Sequence, residues 1–266
     1  MKQTLLFIAS LLIALSMVTS AEDAVVDGIK YKLDETKMTA EAAGLVDSTI
    51  TDLFIPASIK VEEKEYQVVS IGQYAFRENE FSSITFSEGL RTIGRCSFMF
   101  SWITKETIVL PNSVESIDPG SFEHCFVETF VFGEGIKRIG VSAIKSLNDL
   151  REMYIYAREI PEIIPWTEDF PDETDWYLVK LYVPEDLVET YRQSKSELPY
   201  FYAIRDWNIL PIKRDYESFL SSINAVESDS GKTVYYSLDG RRLKSPAKGI
   251  NIIRQSDGTV KKMIVK

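Results

Sequence analysis

The sequence predicts a β-rich repeat solenoid in which short strands from successive units of about 23 residues stack around one continuous core. Three observations predict it. An isoleucine recurs at a near-constant step, at Ile71, Ile93, Ile117 and Ile139. Five residues after each stands a bulky apolar side chain, at Phe76, Phe98, Phe122 and Ile144. Between these marks lie short apolar alternations: Ile84-Thr85-Phe86, Ile108-Val109-Leu110, Phe130-Val131-Phe132 and Met153-Tyr154-Ile155.

The spacing within one unit gives its physics. A three-residue alternation puts its first and third side chains on one face of a strand and its middle one on the other. Each alternation is followed by a turn, in the segments SEGL, PNSV and GEGI. The pairs Ile71-Gly72, Ile93-Gly94 and Ile139-Gly140 suggest tight bends at which glycine takes a positive φ. Asp118 replaces that glycine once. One unit cannot bury its apolar face alone, whereas stacked units can.

Aligned on these marks, the repeats resemble the BspA-like, treponemal type of leucine-rich repeat. The pattern carries I-G-x-x-(A/S)-F after each strand and turn, and Ile108 to Cys125, IVLPNSVESIDPGSFEHC, fits it closely. Asn79 and Cys125 stand eight residues after their isoleucines, where that family has Cys or Asn. The resemblance covers roughly residues 25–212. It implies a leucine-rich-repeat solenoid, and by family a surface protein that attaches cells to host macromolecules or to other bacteria.

The domain organisation follows the chain. Residues 1–20 read as a secretory signal peptide: Lys2, an apolar run from Leu5 to Leu15, then small residues, with cleavage after Ser20 or Ala21. The apolar run is short of the ~20 residues of a membrane span. No cysteine lies near the cleavage point, which argues against a lipoprotein. Residues 21–68 form an N-terminal β cap. Within it AVVDGIKYKL and KMTAEAAGL read as two strands, and KVEEKEYQVVSIG as a hairpin leading into the first full unit. Residues 69–214 form the solenoid with a lengthened terminal unit. There KLYVPEDLVETY reads as a strand ending at Pro184 and a short helix carrying Tyr191, with Trp207 closing the core beside Ile209 and Ile212. Residues 215–232 read as a polar linker, and residues 233–266 as a small β module with two Asp-Gly turns, Asp239-Gly240 and Asp257-Gly258. That module resembles C-terminal sorting or anchoring modules of secreted proteins in anaerobic Gram-negative bacteria. The resemblance implies membrane association only through sorting, and a secreted or cell-surface location.

Charge is unevenly spread. The body, Glu22 to Gly231, holds 20 basic and 38 acidic residues, and the tail, Lys232 to Lys266, holds 9 basic and 2 acidic. An acidic body argues against nucleic acid or anionic lipid as its partner. The loop from Trp166 to Trp176 carries five carboxylates, but without the spacing of a calcium loop, and it reads as a solvated acidic loop. Two cysteines in an exported chain invite a disulfide. Cys96 and Cys125 occupy different columns of adjacent rungs, however, so two buried free thiols are the better reading.

Catalytic motifs are absent. The single histidine, His124, lies in a repeat turn, and there is no phosphate loop, His-Glu-x-x-His, Gly-x-Ser-x-Gly or Cys-x-x-Cys. The reading is a non-enzyme with no catalytic, cofactor or metal residues, and a monomer. Its ligand would be a protein or glycan on a host or bacterial surface. Two alternatives stand beside this adhesion reading: a structural envelope component, and a glycan-binding accessory protein that would need exposed aromatics on a platform. Period-2 alternation points the middle residues Thr85, Val109, Val131, Tyr154 and Tyr182 away from the core. The candidate partner-binding residues are therefore Tyr154, Tyr156, Tyr182 and Val131, overhung by Trp166 and Trp176 of the acidic loop.

Overall fold

The computed structural model describes residues 22–104, 107–147, 149–165, 174–198 and 200–221, and the strands 234–236, 242–243, 249–254 and 260–265. The signal peptide, Trp166, the carboxylates Glu168, Asp169, Asp172 and Glu173, and both Asp-Gly turns of the tail lie outside the described residues.

The body is a leucine-rich-repeat solenoid built from stacked parallel ladders. Every mark isoleucine falls in one of them. Ile71, Ile93, Ile117, Ile139 and Ile163 are direct in-register neighbours, with Ala42 of the cap beside Ile71. All five isoleucines are buried. A second ladder takes the apolar alternations. It runs through Thr107–Val109, Thr129–Phe132, Glu152–Ile155, Lys180–Val183 and Ile209–Pro211, all parallel. Asp52–Ile55 and Ser83–Phe86 pair in the same sense nearer the N-terminus. Phe76, Phe98 and Phe122 stack ring on ring between the ladders, at 5.3 and 5.2 Å between centroids. Ile144 continues their row and is likewise buried.

The cap differs from its expected two strands. It has three, Glu22–Val26, Ile29–Asp34 and Thr39–Leu45, because the chain reverses at Asp27-Gly28, both with positive φ. The third lies parallel to Lys64–Ile71 and so joins the cap to the first rung. The hairpin of Ser58–Val61 with Lys64–Ile71 is antiparallel, as its sequence suggests.

The Ile-Gly glycines also have a different role from the one expected. None of Gly72, Gly94 and Gly140 has a positive φ. A Cβ on Gly94 would lie 2.3 Å from the carbonyl oxygen of Ile71, and one on Gly140 2.7 Å from the nitrogen of Pro119. Gly94 and Gly140 need to be glycine because the preceding rung's backbone occupies the space, whereas a Cβ on Gly72 would meet the Glu41 side chain at 2.7 Å. Eight left-handed residues of the rungs stand elsewhere, in two columns. Tyr74, Cys96, Gly120 and Ser142 lie three residues after their marks, and Glu78, Phe100, His124 and Ser146 seven after. With two such corners per rung, alternate amides of the turn segment point at the next rung. Phe76, Phe98 and Phe122 donate to the carbonyls of Ser97, Ser121 and Ala143 at 2.8–2.9 Å. The turn flank is thereby hydrogen-bonded from rung to rung without being a strand.

The Cys-or-Asn column has a matching cause. Ser101 Oγ donates to the carbonyl of Phe76 at 2.8 Å, and Cys125 Sγ to that of Phe98 at 2.9 Å. In these two rungs a small donor at this column satisfies a carbonyl buried between rungs, whereas Asn79 donates to the nearby carbonyl of Arg77. Both cysteines are free thiols, Cys125 buried and Cys96 only half-buried, against the expectation that both are buried.

Residues 213–266 form a second compact unit. The segment read as linker opens with a helix at 216–221, whose start is capped by Asp215: its Oδ1 accepts from the Ser218 amide at 2.8 Å. The strands Arg242–Leu243, Val234–Tyr236, Gly249–Arg254 and Val260–Val265 form an antiparallel sheet in that order.

Candidate partner-binding face

The outward column of the second ladder runs in register through Val109, Val131, Tyr154, Tyr182 and Leu210. Neighbouring parallel strands are about 4.8 Å apart, so flat rings in one column must either stack or splay. Here they stack. Tyr154 and Tyr182 lie with centroids 4.4 Å apart and planes 7° apart, and Tyr156 continues the row 6.5 Å from Tyr154. Tyr154 and Tyr182 are half-buried, while Tyr156 is buried.

A single carboxylate holds the pair. Glu152 accepts from the Tyr154 hydroxyl at 3.0 Å and from the Tyr182 hydroxyl at 3.3 Å, and Lys180 lies 3.8 Å from it. Burial first, then the hydrogen bond to Glu152 and its charge, raise the Tyr154 pKa well above the ordinary tyrosine value. Burial, then the charge of Glu152, raise that of Tyr182. Both rings therefore stay neutral at any physiological pH. They present an apolar stack with polar tips whose orientation is fixed before any partner arrives.

Of the remaining sequence candidates, Val131 and Trp176 are buried, and Trp166 lies outside the described residues. Val131 is fully buried between Val109 and Tyr154, since sheet neighbours on both sides cover a branched side chain. Trp176 does not overhang the face. It is buried in the core of the terminal unit, 5.6 Å from the Tyr200 ring and 6.0 Å from that of Phe201. The structure thus brings together Tyr154, Tyr156 and Tyr182, keeps Val131 beside Tyr154 in the same column but out of solvent, and places Trp176 in the core.

Sequence reasoning missed two other groups of aromatics. One lies on the turn flank, where Phe100 stacks on His124 at 4.7 Å and Trp102 on Phe126 at 4.5 Å. The Arg77 guanidinium sits 5.8 Å from the Tyr74 ring and 5.9 Å from that of Phe100. Tyr74, Phe100 and Trp102 are each about half exposed. Their signal was present in the repeat, since both stacked pairs recur at the same step that separates Ile93 from Ile117. The other group lies at the end of the solenoid, where Trp207 is 67% exposed instead of closing the core.

Among the described residues no group of three or more His, Cys, Asp or Glu could hold a metal ion, and no helix is long and apolar enough to cross a membrane.

Residues 50–163 match six copies of the BspA type leucine rich repeat region. No curated protein matches the chain. Among solved structures, a leucine-rich repeat protein from Bacteroides capillosus is similar over 50% of this chain and 97% of its own, at 19% identity and a TM-score of 0.39. One from Bacteroides ovatus covers 61% of this chain and 55% of its own, at 21% identity and a TM-score of 0.34. The Treponema pallidum leucine rich repeat protein covers 65% of this chain and 95% of its own, at 13% identity and a TM-score of 0.36.

Proposed function

We propose that this protein is an exported, cell-surface binding protein, whose solenoid holds a macromolecular partner of a host or of another bacterium on the Tyr154–Tyr182 face. The observation that carries the reading is the pair of neutral, half-exposed rings stacked at 4.4 Å and pinned by Glu152. Side chains fixed in advance lose little entropy on association, and tyrosine is enriched among residues that dominate binding energy. Leucine-rich repeats are typically non-catalytic binding scaffolds, and residues 50–163 match such repeats. Export rests on the N-terminal apolar run and its small-residue boundary. The basic tail would then serve sorting or anchoring.

The test is capture of host matrix proteins by the intact protein and by a Tyr154→Ala, Tyr182→Ala double variant. Lost capture with an unchanged melting temperature supports the site. A large drop in melting temperature with capture intact shows that the rings are structural, and ends the proposal.

A further inference from the structure

Beyond the sheet face, the terminal unit carries a groove of about 570 Å³ between the helix Val188–Ser194 and the turn Asp206–Asn208. It is a shallow cleft open to solvent. Its lining is Glu189, Arg192, Gln193, Asp206 and Trp207. We infer that this groove is a binding site for a neutral saccharide, with the Trp207 indole as its platform.

Three features converge on that chemistry. First, a large indole is left in solvent at the end of an otherwise well-filled core. Arg205 lies over this ring, 5.1 Å from its centroid, and so holds it in place. An indole fixed in this way offers apolar area to the C–H face of a pyranose ring.

Second, the polar lining consists of planar side chains with two adjacent polar atoms each. Such groups match the spacing of vicinal hydroxyls. Their own contacts set their positions. Gln193 Nε2 donates to Glu189 Oε1 at 3.1 Å, and Arg192 Nη1 lies 3.7 Å from Glu189 Oε2. Arg192 also donates to the carbonyls of Asp206, at 3.1 Å, and of Ile209, at 3.0 Å, which ties the helix to the turn that carries the indole. The one bond from Gln193 to Glu189 uses one of its two N–H groups and leaves its carbonyl oxygen able to accept.

Third, charge in the groove is balanced. Glu189 faces Arg192, and Asp206 is paired with Lys195 at 2.6 Å. Each charged lining residue thus has an oppositely charged neighbour, and the one further cation beside the indole is Arg205, which lies over the ring. A ligand that brings hydroxyls and an apolar ring face without net charge fits this lining best.

The experiment is a titration of the intact protein with defined neutral hexasaccharides of glucose, mannose and xylose, read by calorimetry and by tryptophan fluorescence. Polygalacturonate serves as the charged control. At least one neutral hexasaccharide binds and shifts the emission. Trp207→Ala weakens that binding at least about tenfold, as loss of a central aromatic anchor does, and Gln193→Ala weakens it less. Neither variant lowers the melting temperature, since both side chains are exposed. The Tyr154→Ala, Tyr182→Ala variant binds the saccharide like the wild type, which separates this site from the sheet face. The inference is overturned if no neutral hexasaccharide binds at millimolar concentration. It is equally overturned if binding survives Trp207→Ala, or if polygalacturonate alone binds.

Discussion

Gly94 lies so close under Ile71 that a Cβ on it would stand 2.3 Å from the Ile71 carbonyl oxygen. The amide of the same glycine donates to that oxygen at 2.9 Å, so the contact is also a rung-to-rung hydrogen bond. Gly94→Ala must push two rungs apart or break this bond. The expected cost is about 1–3 kcal/mol, the usual range for overpacking a filled interior. By contrast Gly89 has nothing within 4 Å of its Cβ position and only its φ of +103° to strain. Denaturant unfolding of Gly94→Ala checks the claim; wild-type stability would mean that the rungs are not in this register.

The two thiols should differ sharply in reactivity. Burial pushes the Cys125 thiol up to about 12, and its Sγ donates to the Phe98 carbonyl. At about pH 8 it holds almost no thiolate, and the thiolate is the reactive species. Cys96 is half-buried on the turn flank. Labelling with an aromatic disulfide reagent should show one prompt thiol and one that appears only with unfolding. Two prompt thiols would contradict the buried column.

Tyr191, on the helix Val188–Ser194, buries its hydroxyl without a hydrogen-bond partner. Desolvation alone raises its pKa well above the ordinary value. Tyr191→Phe removes the uncompensated polar atom and keeps the ring beside Phe201. Stability should stay level or rise by about 1 kcal/mol. A loss of that size, measured by urea unfolding, would show that the hydroxyl is satisfied.

Alkaline pH should destabilise the body. The tyrosines at 31, 154, 182 and 191 all have raised folded values, Tyr31 to about 12 through burial and then Asp27. A raised folded pKa means that the folded chain binds the proton more tightly than the unfolded chain. The associated stability is therefore complete below the unfolded value of about 10 and is lost as pH rises through the folded values. Phenolate absorbance should lag the total tyrosine content between about pH 10 and 12 and catch up as the protein unfolds. A smooth titration of all tyrosines near the ordinary value would refute the burial.

Much of the solenoid was legible in the chain because its determinants are local and repeated. The isoleucine and phenylalanine marks, their near-constant step and the three-residue alternations specify rung, register and inward face, and those positions are the buried ones. The hairpin into the first rung was legible for the same reason. The third cap strand was missed although its Asp27-Gly28 turn was in plain view, because a long β run was read without its break.

Accessibility and close approach were decided only by the tertiary structure. Alternation says that Val131 points away from the core, yet its neighbours Val109 and Tyr154, each one rung away, bury it. An apolar indole in the last unit reads as core, yet Trp176 takes that place and Trp207 is left in solvent. The glycine after each isoleucine reads as a local conformational need, whereas Gly94 answers to the carbonyl of Ile71, one rung earlier. By itself the sequence determined which residue of a unit faces the core, since backbone geometry links side-chain direction to sequence spacing. Which outward residues meet solvent, and which backbone atoms nearly touch, depends on what the next rung brings to the same place, and only stacking decides that.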